Sequence, residues 1–101
     1  MAIQHLTKEN FDSVTGQGRS LVDFWASWCG PCRMLAPTVE ALGEALDGQV
    51  QVCKVDVDAE PALAERFGVM SIPTLVYLEN GEEKRRLVGV QPQSAIEAML
   101  E

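Results

Sequence analysis

The sequence has few cysteines, few aromatic residues and no long hydrophobic run. Its 101 residues include three cysteines and one histidine, and aromatic residues make up 6%. No apolar stretch approaches the roughly 20 residues that a membrane-spanning helix needs, so we expect no association with a membrane. The first five residues lack the charged segment and apolar run of a secretory signal peptide. We therefore expect a cytoplasmic protein, and in the cytosol a close cysteine pair is more often catalytic or metal-binding than structural.

Basic residues are also scarce. The chain has 8 Lys and Arg residues against 15 Asp and Glu residues, which gives a formal net charge of −7. This acidic excess argues against nucleic acid or an anionic membrane as a partner, because both carry negative charge. The one basic run, Lys84-Arg85-Arg86, adjoins Glu82 and Glu83, and we interpret it as a solvated strand or turn face.

Length and composition favour one ordinary globular domain. Hydrophobic residues make up 47% of the chain, and the mean hydropathy is 0.00. Hydrophobic segments and turn signals alternate from end to end, without a repeat, a low-complexity tract or a linker. Residues 1–101 are therefore predicted to form a single domain with one core.

Apolar runs, capping residues and turn residues predict an alternation of strands and helices. We predict strands at residues 3–5, 20–26, 50–57, 74–78 and 83–88, and helices at 7–16, 31–46 and 62–67 and from residue 92. The β-α-β connections imply parallel strands, and Asn80-Gly81 predicts an antiparallel hairpin. The predicted fold class is therefore α/β, a central mixed sheet with helices on both faces.

The segment Trp28-Cys29-Gly30-Pro31-Cys32 follows a predicted buried strand and opens a predicted helix. Only a thiolate attacks a disulfide, and the free N–H groups and dipole of a helix N-terminus favour an anion there. Cys29 precedes the first turn, and Cys32 lies within it, close enough to reach the Cys29 sulfur. The pair is therefore predicted to catalyse thiol–disulfide exchange.

The pair has two other interpretations. A structural zinc site needs four ligands, and Cys53 and His5, the remaining candidates, form no second paired motif. Alternatively, both cysteines could be buried and inert, which their place between a strand and a helix, beside Gly and Pro, disfavours. We therefore predict no bound metal.

Two charged residues interrupt apolar strands. Asp23 lies within the apolar run 21–26, where burial would raise its pKa and make it a proton acceptor near neutral pH; the alternative is an exposed carboxylate at a strand end. Lys54 interrupts the valine-rich strand, and one interpretation is a lysine whose charged end reaches solvent from the strand face. Its neighbour Cys53 is predicted to be a small buried hydrophobe on the opposite face. Phe24 and Trp25 are predicted to lie in the core.

The sequence resembles the thioredoxin family over nearly the whole chain. The resemblance rests on the run from Val22 to Met34 that contains the Trp-Cys-Gly-Pro-Cys motif, on Ile72-Pro73-Thr74, and on Asn80-Gly81 followed by Val88-Gly89. It implies a thioredoxin-like three-layer sandwich.

The resemblance also implies a role for each matching residue. Cys29 would be the nucleophile that attacks a target disulfide, and Cys32 the thiol that resolves the mixed disulfide. Asp23 would be a buried base for Cys32, and Lys54 would approach Asp23 and moderate its charge. The substrate-binding surface would consist of Trp28, Gly30, Pro31, Ile72, Pro73, Val88, Gly89 and Val90, with Pro73 in the cis form beside the active site. Core packing is an equally good interpretation of Val88.

Family members with Gly-Pro between the cysteines are reductases, so the resemblance implies a protein-disulfide reductase and general electron donor. Its partners would be a thioredoxin reductase, either a flavoprotein that uses NADPH or a ferredoxin-linked enzyme, and targets such as ribonucleotide reductase, peroxiredoxins and methionine sulfoxide reductases. The chain would be a monomer without a bound cofactor. Two alternatives are a disulfide oxidase or isomerase, which would need export, and a non-enzymatic subunit of a larger assembly.

Overall fold

The computed structural model describes residues 3–101, and in that range it contains five strands and four helices. The strands are β1 (Ile3–His5), β2 (Arg19–Trp25), β3 (Gln51–Asp56), β4 (Thr74–Glu79) and β5 (Glu82–Val88). The helices are α1 (Phe11–Thr15), α2 (Gly30–Ala45), α3 (Pro61–Arg66) and α4 (Gln93–Met99). The predicted order of elements is confirmed. Among these residues no helix is both long and apolar enough to cross a membrane.

The five strands form one sheet in the order β1-β3-β2-β4-β5. Strands β1, β3 and β2 are parallel, whereas β4 and β5 are antiparallel to their neighbours, so the predicted mixed sheet is confirmed. The hairpin between β4 and β5 turns at Asn80 and Gly81, whose φ angles are 52° and 84°. Positive φ at both positions matches the right-handed twist of the strands and favours this residue pair.

Helices cover both faces of the sheet. Successive strand residues point to opposite faces, so Leu21 and Val22 of β2 belong to different hydrophobic clusters. The Leu21 cluster contains the buried sides of α2 and α4, and the Val22 cluster contains those of α1 and α3. The result is the predicted three-layer sandwich.

The predicted start of the first helix is wrong. A helix capped by Thr7 was expected, but α1 begins at Phe11. The Asn10 side chain accepts a hydrogen bond from the Thr7 backbone N–H at 2.7 Å, and the Thr7 hydroxyl accepts one from the Glu9 N–H at 3.2 Å. These bonds hold residues 7–10 in a turn, because short polar side chains compete with the helix for backbone groups.

Three loops and a helix N-terminus meet at one edge of the sheet. The carboxyl ends of the parallel strands β2 and β3 lie at this edge, and α2 begins just beyond β2. Because β4 is antiparallel to β2, its first residue, Thr74, pairs with Phe24 near the end of β2 and with Val88 at the end of β5. The segments after β2, β3 and β5 and the segment before β4 therefore surround the same place.

Candidate active site

Cys29 and Cys32 form a disulfide at the N-terminus of α2. Cys29 is the N-cap residue, with φ −91° and ψ 112°, and its Sγ accepts a hydrogen bond from the Cys32 backbone N–H at 3.2 Å. A side chain in this position satisfies an N–H that the helix itself leaves free. The two Cα atoms are 5.3 Å apart, so the sulfurs meet across a single helical turn. The local geometry therefore allows the disulfide to form and places a backbone N–H donor at the Cys29 sulfur.

The disulfide is buried but lies just beneath the surface. Cys29 is 4% exposed and Cys32 is 3% exposed, and Ala26 completes a small cluster with them. The carbonyl oxygen of Ile72 lies 3.8 Å from the Cys29 Sγ. The peptide bond between Ile72 and Pro73 is cis, as the family resemblance implied. The segment before β4 is thus the direct neighbour of Cys29.

Asp23 is buried in the middle of β2. It is 1% exposed, and neither of its carboxylate oxygens has a hydrogen-bond partner among residues 3–101. Burial raises the pKa of Asp23 to about 6, and the positive charge of Lys54 opposes that rise. The exposed alternative for Asp23 is therefore wrong. A carboxyl group that titrates near pH 6 can both accept and release a proton at neutral pH.

Lys54 lies directly across from Asp23 in the pairing of β3 with β2. Its Nζ is 5.1 Å from the centre of the Trp25 ring. Within residues 3–101 it forms no ion pair with Asp23 at or below 4.0 Å. Lys54 therefore acts on Asp23 through its charge at a distance, without a direct hydrogen bond. Trp25 is half-buried, which departs from the prediction that it belongs to the core.

The predicted substrate-binding residues differ in exposure. Trp28 is 67% exposed, and Val88 and Val90 are also large exposed hydrophobic residues, so Val88 is not a core residue. Pro31 is exposed, Gly30, Ile72 and Gly89 are half-buried, and Pro73 is buried. The Gly89 N–H donates to the Pro73 carbonyl at 2.8 Å, which joins the segments after β5 and before β4. Gly89 has a φ of 90°, which a residue with a Cβ rarely adopts.

Two other exposed hydrophobic residues lie at this end of the molecule, and sequence reasoning missed one of them, Met34. Met70 is 94% exposed and lies two residues before Ile72, and Met34 is exposed on the first turns of α2. Methionine is flexible and polarisable, so it contacts partners of varied shape. Their positions in the sequence, next to Ile72-Pro73 and after the cysteine motif, were the available signals.

A hydrogen bond from Trp28 was also missed. Its indole Nε1 donates to the Asp58 carboxylate at 2.7 Å. Asp58 follows β3, where the Asp56 carboxylate accepts from the Asp58 backbone N–H at 2.9 Å. An aspartate that binds the backbone two residues later is typical of a turn, but nothing in the sequence pairs that turn with Trp28. The bond fixes the exposed indole beside Cys29.

Cys53 lies apart from this site. It is fully buried in the cluster on the opposite face of the sheet, as predicted, and burial raises its thiol pKa to about 12. Lys54, the next residue, points to the other face. Among residues 3–101 no group of three or more His, Cys, Asp or Glu side chains is arranged to hold a metal ion.

Comparison with known proteins gives a consistent result. A family model described as Thioredoxin matches residues 2–101. The chain is 46% identical to a thioredoxin from Staphylococcus saprophyticus over 101 residues, which cover 100% of this chain and 97% of the relative. It is 44% identical to a thioredoxin from Staphylococcus aureus over the same shares of both chains.

Solved structures agree with this match. A mutant thioredoxin from Halobacterium salinarum superimposes with a TM-score of 0.89 at 40% identity, covering 98% of this chain and 88% of that one. A thioredoxin from Malassezia sympodialis superimposes with a TM-score of 0.90 at 35% identity, covering 97% and 87%. With the Cys29–Cys32 disulfide at the helix N-terminus, these findings show that the chain belongs to the thioredoxin family and reduces protein disulfides by dithiol–disulfide exchange.

Proposed function

We propose that Cys29 is the nucleophile and Cys32 the resolving thiol of this reductase. The hydrogen bond from the Cys32 backbone N–H to the Cys29 Sγ carries the assignment. After reduction, the same N–H remains in position to donate to a Cys29 thiolate, and the N-terminus of α2 adds a favourable field. Cys32 lies inside the first turn of α2, and the two residues are almost equally buried, so the assignment depends on this hydrogen bond and on the field of the helix. Cys29 is therefore the sulfur that meets a target.

The reaction has two exchange steps. The Cys29 thiolate attacks one sulfur of a target disulfide, which forms a mixed disulfide and releases the other target sulfur as a thiolate. Cys32 then loses its proton and attacks the Cys29 sulfur, which re-forms the Cys29–Cys32 bond and releases the second target thiolate. The target gains two electrons, and the protein loses two. The second step is intramolecular and is fast because the two sulfurs are held one turn apart.

Asp23 is the proposed base for the second step. Its carboxylate is buried on the face of the sheet that α2 covers, and it titrates at about pH 6. It therefore accepts the Cys32 proton at neutral pH and releases it afterwards to water. Lys54 favours the charged form of Asp23, because its positive charge opposes the rise of the Asp23 pKa.

The target docks on the surface formed by the eight residues predicted above. Exposed Trp28, Val88 and Val90 supply apolar contact area, and Gly30 and Gly89 have no side chain to hold a partner backbone away. The backbone of Ile72, next to the cis bond at Pro73, is available to an extended target segment for strand-like hydrogen bonding. The exposed Met34 and Met70 extend this surface.

The partners and the cellular setting follow from the family. We infer that the chain is a cytoplasmic monomer, that residues 1–101 form one domain, and that it works without a bound cofactor. A thioredoxin reductase would reduce the Cys29–Cys32 disulfide, with electrons from NADPH through a flavin or from ferredoxin. Ribonucleotide reductase, peroxiredoxins and methionine sulfoxide reductases would be the targets.

Insulin reduction by dithiothreitol tests the proposal. The wild-type protein and the control variant Cys53→Ser are expected to accelerate precipitation of the insulin B chain equally, whereas Cys29→Ser is inactive. Cys32→Ser is expected to accumulate a mixed disulfide between Cys29 and the target, which mass spectrometry identifies. Turnover by Cys29→Ser, or a mixed disulfide on another cysteine, would contradict the assignment.

A further inference from the structure

We propose that Trp25 is a positioning residue for the reaction, because its indole ring holds the Lys54 ammonium beside Asp23. The ammonium nitrogen lies over the ring at 5.1 Å from its centre. This distance is within the range of a cation–π interaction, in which the negative face of the ring attracts the cation. Lys54 is half-buried and lies in β3, the middle strand of the parallel group.

The register of the sheet explains the arrangement. Asp23 is the direct partner of Lys54, and Trp25, two residues further along β2, is the partner of Asp56. Trp25 is therefore the diagonal neighbour of Lys54 on the same face, a distance that aromatic and long side chains span. Asp23 and Trp25 thus flank Lys54 from one strand.

Few other charged groups face this pair. On the neighbouring strand β1, His5 is the partner of Lys54, and on its own strand Asp56 lies two residues away. The Asp56 carboxylate accepts from the backbone N–H groups of residues 58 and 59, which engages it in the turn after β3. Above the sheet, Cys32 is the one titratable side chain on the buried sides of α2 and α4. Strand β4 faces Asp23 with Leu75.

Lys54 is therefore the positive charge that offsets part of the effect of burial on Asp23, and its position depends on Trp25. Without the ring the ammonium is free to turn away to solvent, where water screens its charge. The carboxylate then loses its nearest positive charge, and Asp23 holds its proton to a higher pH. Trp25 also packs against the cluster of Ala26, Cys29 and Cys32, so it connects the disulfide to the pair that controls the proton.

Titration of the Asp23 carboxyl carbon by NMR tests the inference. Trp25→Leu keeps an apolar side chain but removes the ring, and it is expected to raise the Asp23 midpoint by about 0.5 pH unit. Trp25→Phe keeps an aromatic face and is expected to give a smaller rise. In the Lys54→Met background, where no ammonium remains, Trp25→Leu is expected to have no further effect.

Two results would overturn the inference. One is an unchanged Asp23 midpoint in Trp25→Leu, and the other is an equal change with and without Lys54, which would assign the effect to burial. The ring-current shift of the Lys54 ε-methylene protons provides a check in the wild-type protein, which needs no substitution. An upfield shift supports the contact, and its absence contradicts it.

In catalysis, the inference rests on the proposed role of Asp23 as the base. Failure of the catalytic role of Asp23 and failure of the positioning role of Trp25 are distinguishable, because the titration of Asp23 does not depend on turnover. If Asp23→Asn resolves mixed disulfides at the wild-type rate, Asp23 is not the base. The titration then still decides whether Trp25 holds Lys54 beside Asp23. If Asp23→Asn is slow and the Trp25 variants titrate like the wild type, only the positioning role fails.

Discussion

Replacement of Asp23 by asparagine is predicted to stabilise the oxidised protein, by an amount that grows with pH. The structure buries the carboxyl group at 1% exposure without a hydrogen-bond partner among residues 3–101. A charge in such a place loses its hydration, and the positive charge of Lys54 compensates for only part of that loss, so the folded state carries a cost whenever Asp23 is ionised. Asparagine has nearly the same shape and never carries the charge.

The size of the effect follows from the pKa of Asp23. It rises from 3.8, its ordinary value, to about 6 on folding, which corresponds to about 3 kcal/mol. Between these values the folded state binds more protons than the unfolded state, so stability falls as pH rises. The favourable contribution of the protonated carboxyl is complete below about pH 4 and lost above about pH 6. The gain from Asp23→Asn is therefore near zero at pH 4 and about 3 kcal/mol at pH 8.

Guanidinium denaturation of the oxidised proteins at several pH values between 4 and 8 measures this difference. The exposed Asp47 provides the matched control, because Asp47→Asn makes the same chemical change without burial. We expect the free energy of unfolding of the control to follow the wild type at every pH. A constant difference between Asp23→Asn and the wild type across the pH range, or destabilisation at pH 8, would show that ionisation of a buried Asp23 does not destabilise the folded state.

Three further predictions concern catalysis, docking and the core. Asp23→Asn is expected to slow resolution of a mixed disulfide on the order of 10²-fold at pH 7. In the wild type this step is expected to slow as pH falls below about 6, because Asp23 becomes protonated. Rapid-quench kinetics measure both effects, and a wild-type rate that does not change with pH would contradict the role of Asp23. Trp28→Ala is expected to lower kcat/KM for a protein target by about tenfold through loss of an exposed aromatic contact, with dithiothreitol oxidation as the control that stays unchanged. Leu42→Ala, at a fully buried position, is expected to lower the free energy of unfolding by about 2–5 kcal/mol. The control Glu40→Ala, at an exposed position, is expected to change it little. Equal losses of stability in calorimetry would show that the cluster around Leu42 is not the core.

Much of the fold was predictable because its signals are local. The pair Asn80-Gly81 predicts its hairpin because both residues accept positive φ, and the structure shows positive φ at both. Pro61 predicts the first residue of α3 for a similar reason, since its fixed φ suits that position. The start of α1 was not predictable, because the Asn10 side chain binds the Thr7 backbone where a helix cap was expected.

The chemistry of the site was more visible in the sequence than its surroundings. Cys29 and Cys32 are three residues apart on one helical turn, and a charged Asp23 in an apolar run stands out. By contrast, the bond between Trp28 and Asp58 joins loops 30 residues apart, and no local pattern reports it. The position of Trp25 over Lys54 depends in the same way on the register between two strands.

The most direct test of the account is the titration of Cys29 in the reduced protein, followed by thiolate absorbance near 240 nm and by the rate of alkylation with iodoacetamide. Because Cys29 caps α2 and accepts the Cys32 N–H, we expect one thiolate to form at a pH clearly below the value of about 8.5 for an ordinary thiol. Peptide mapping is expected to find the label on Cys29, with Cys32 and the buried Cys53 unmodified. Titration of Cys29 at the ordinary value, or faster labelling of either of the other cysteines, would contradict the account.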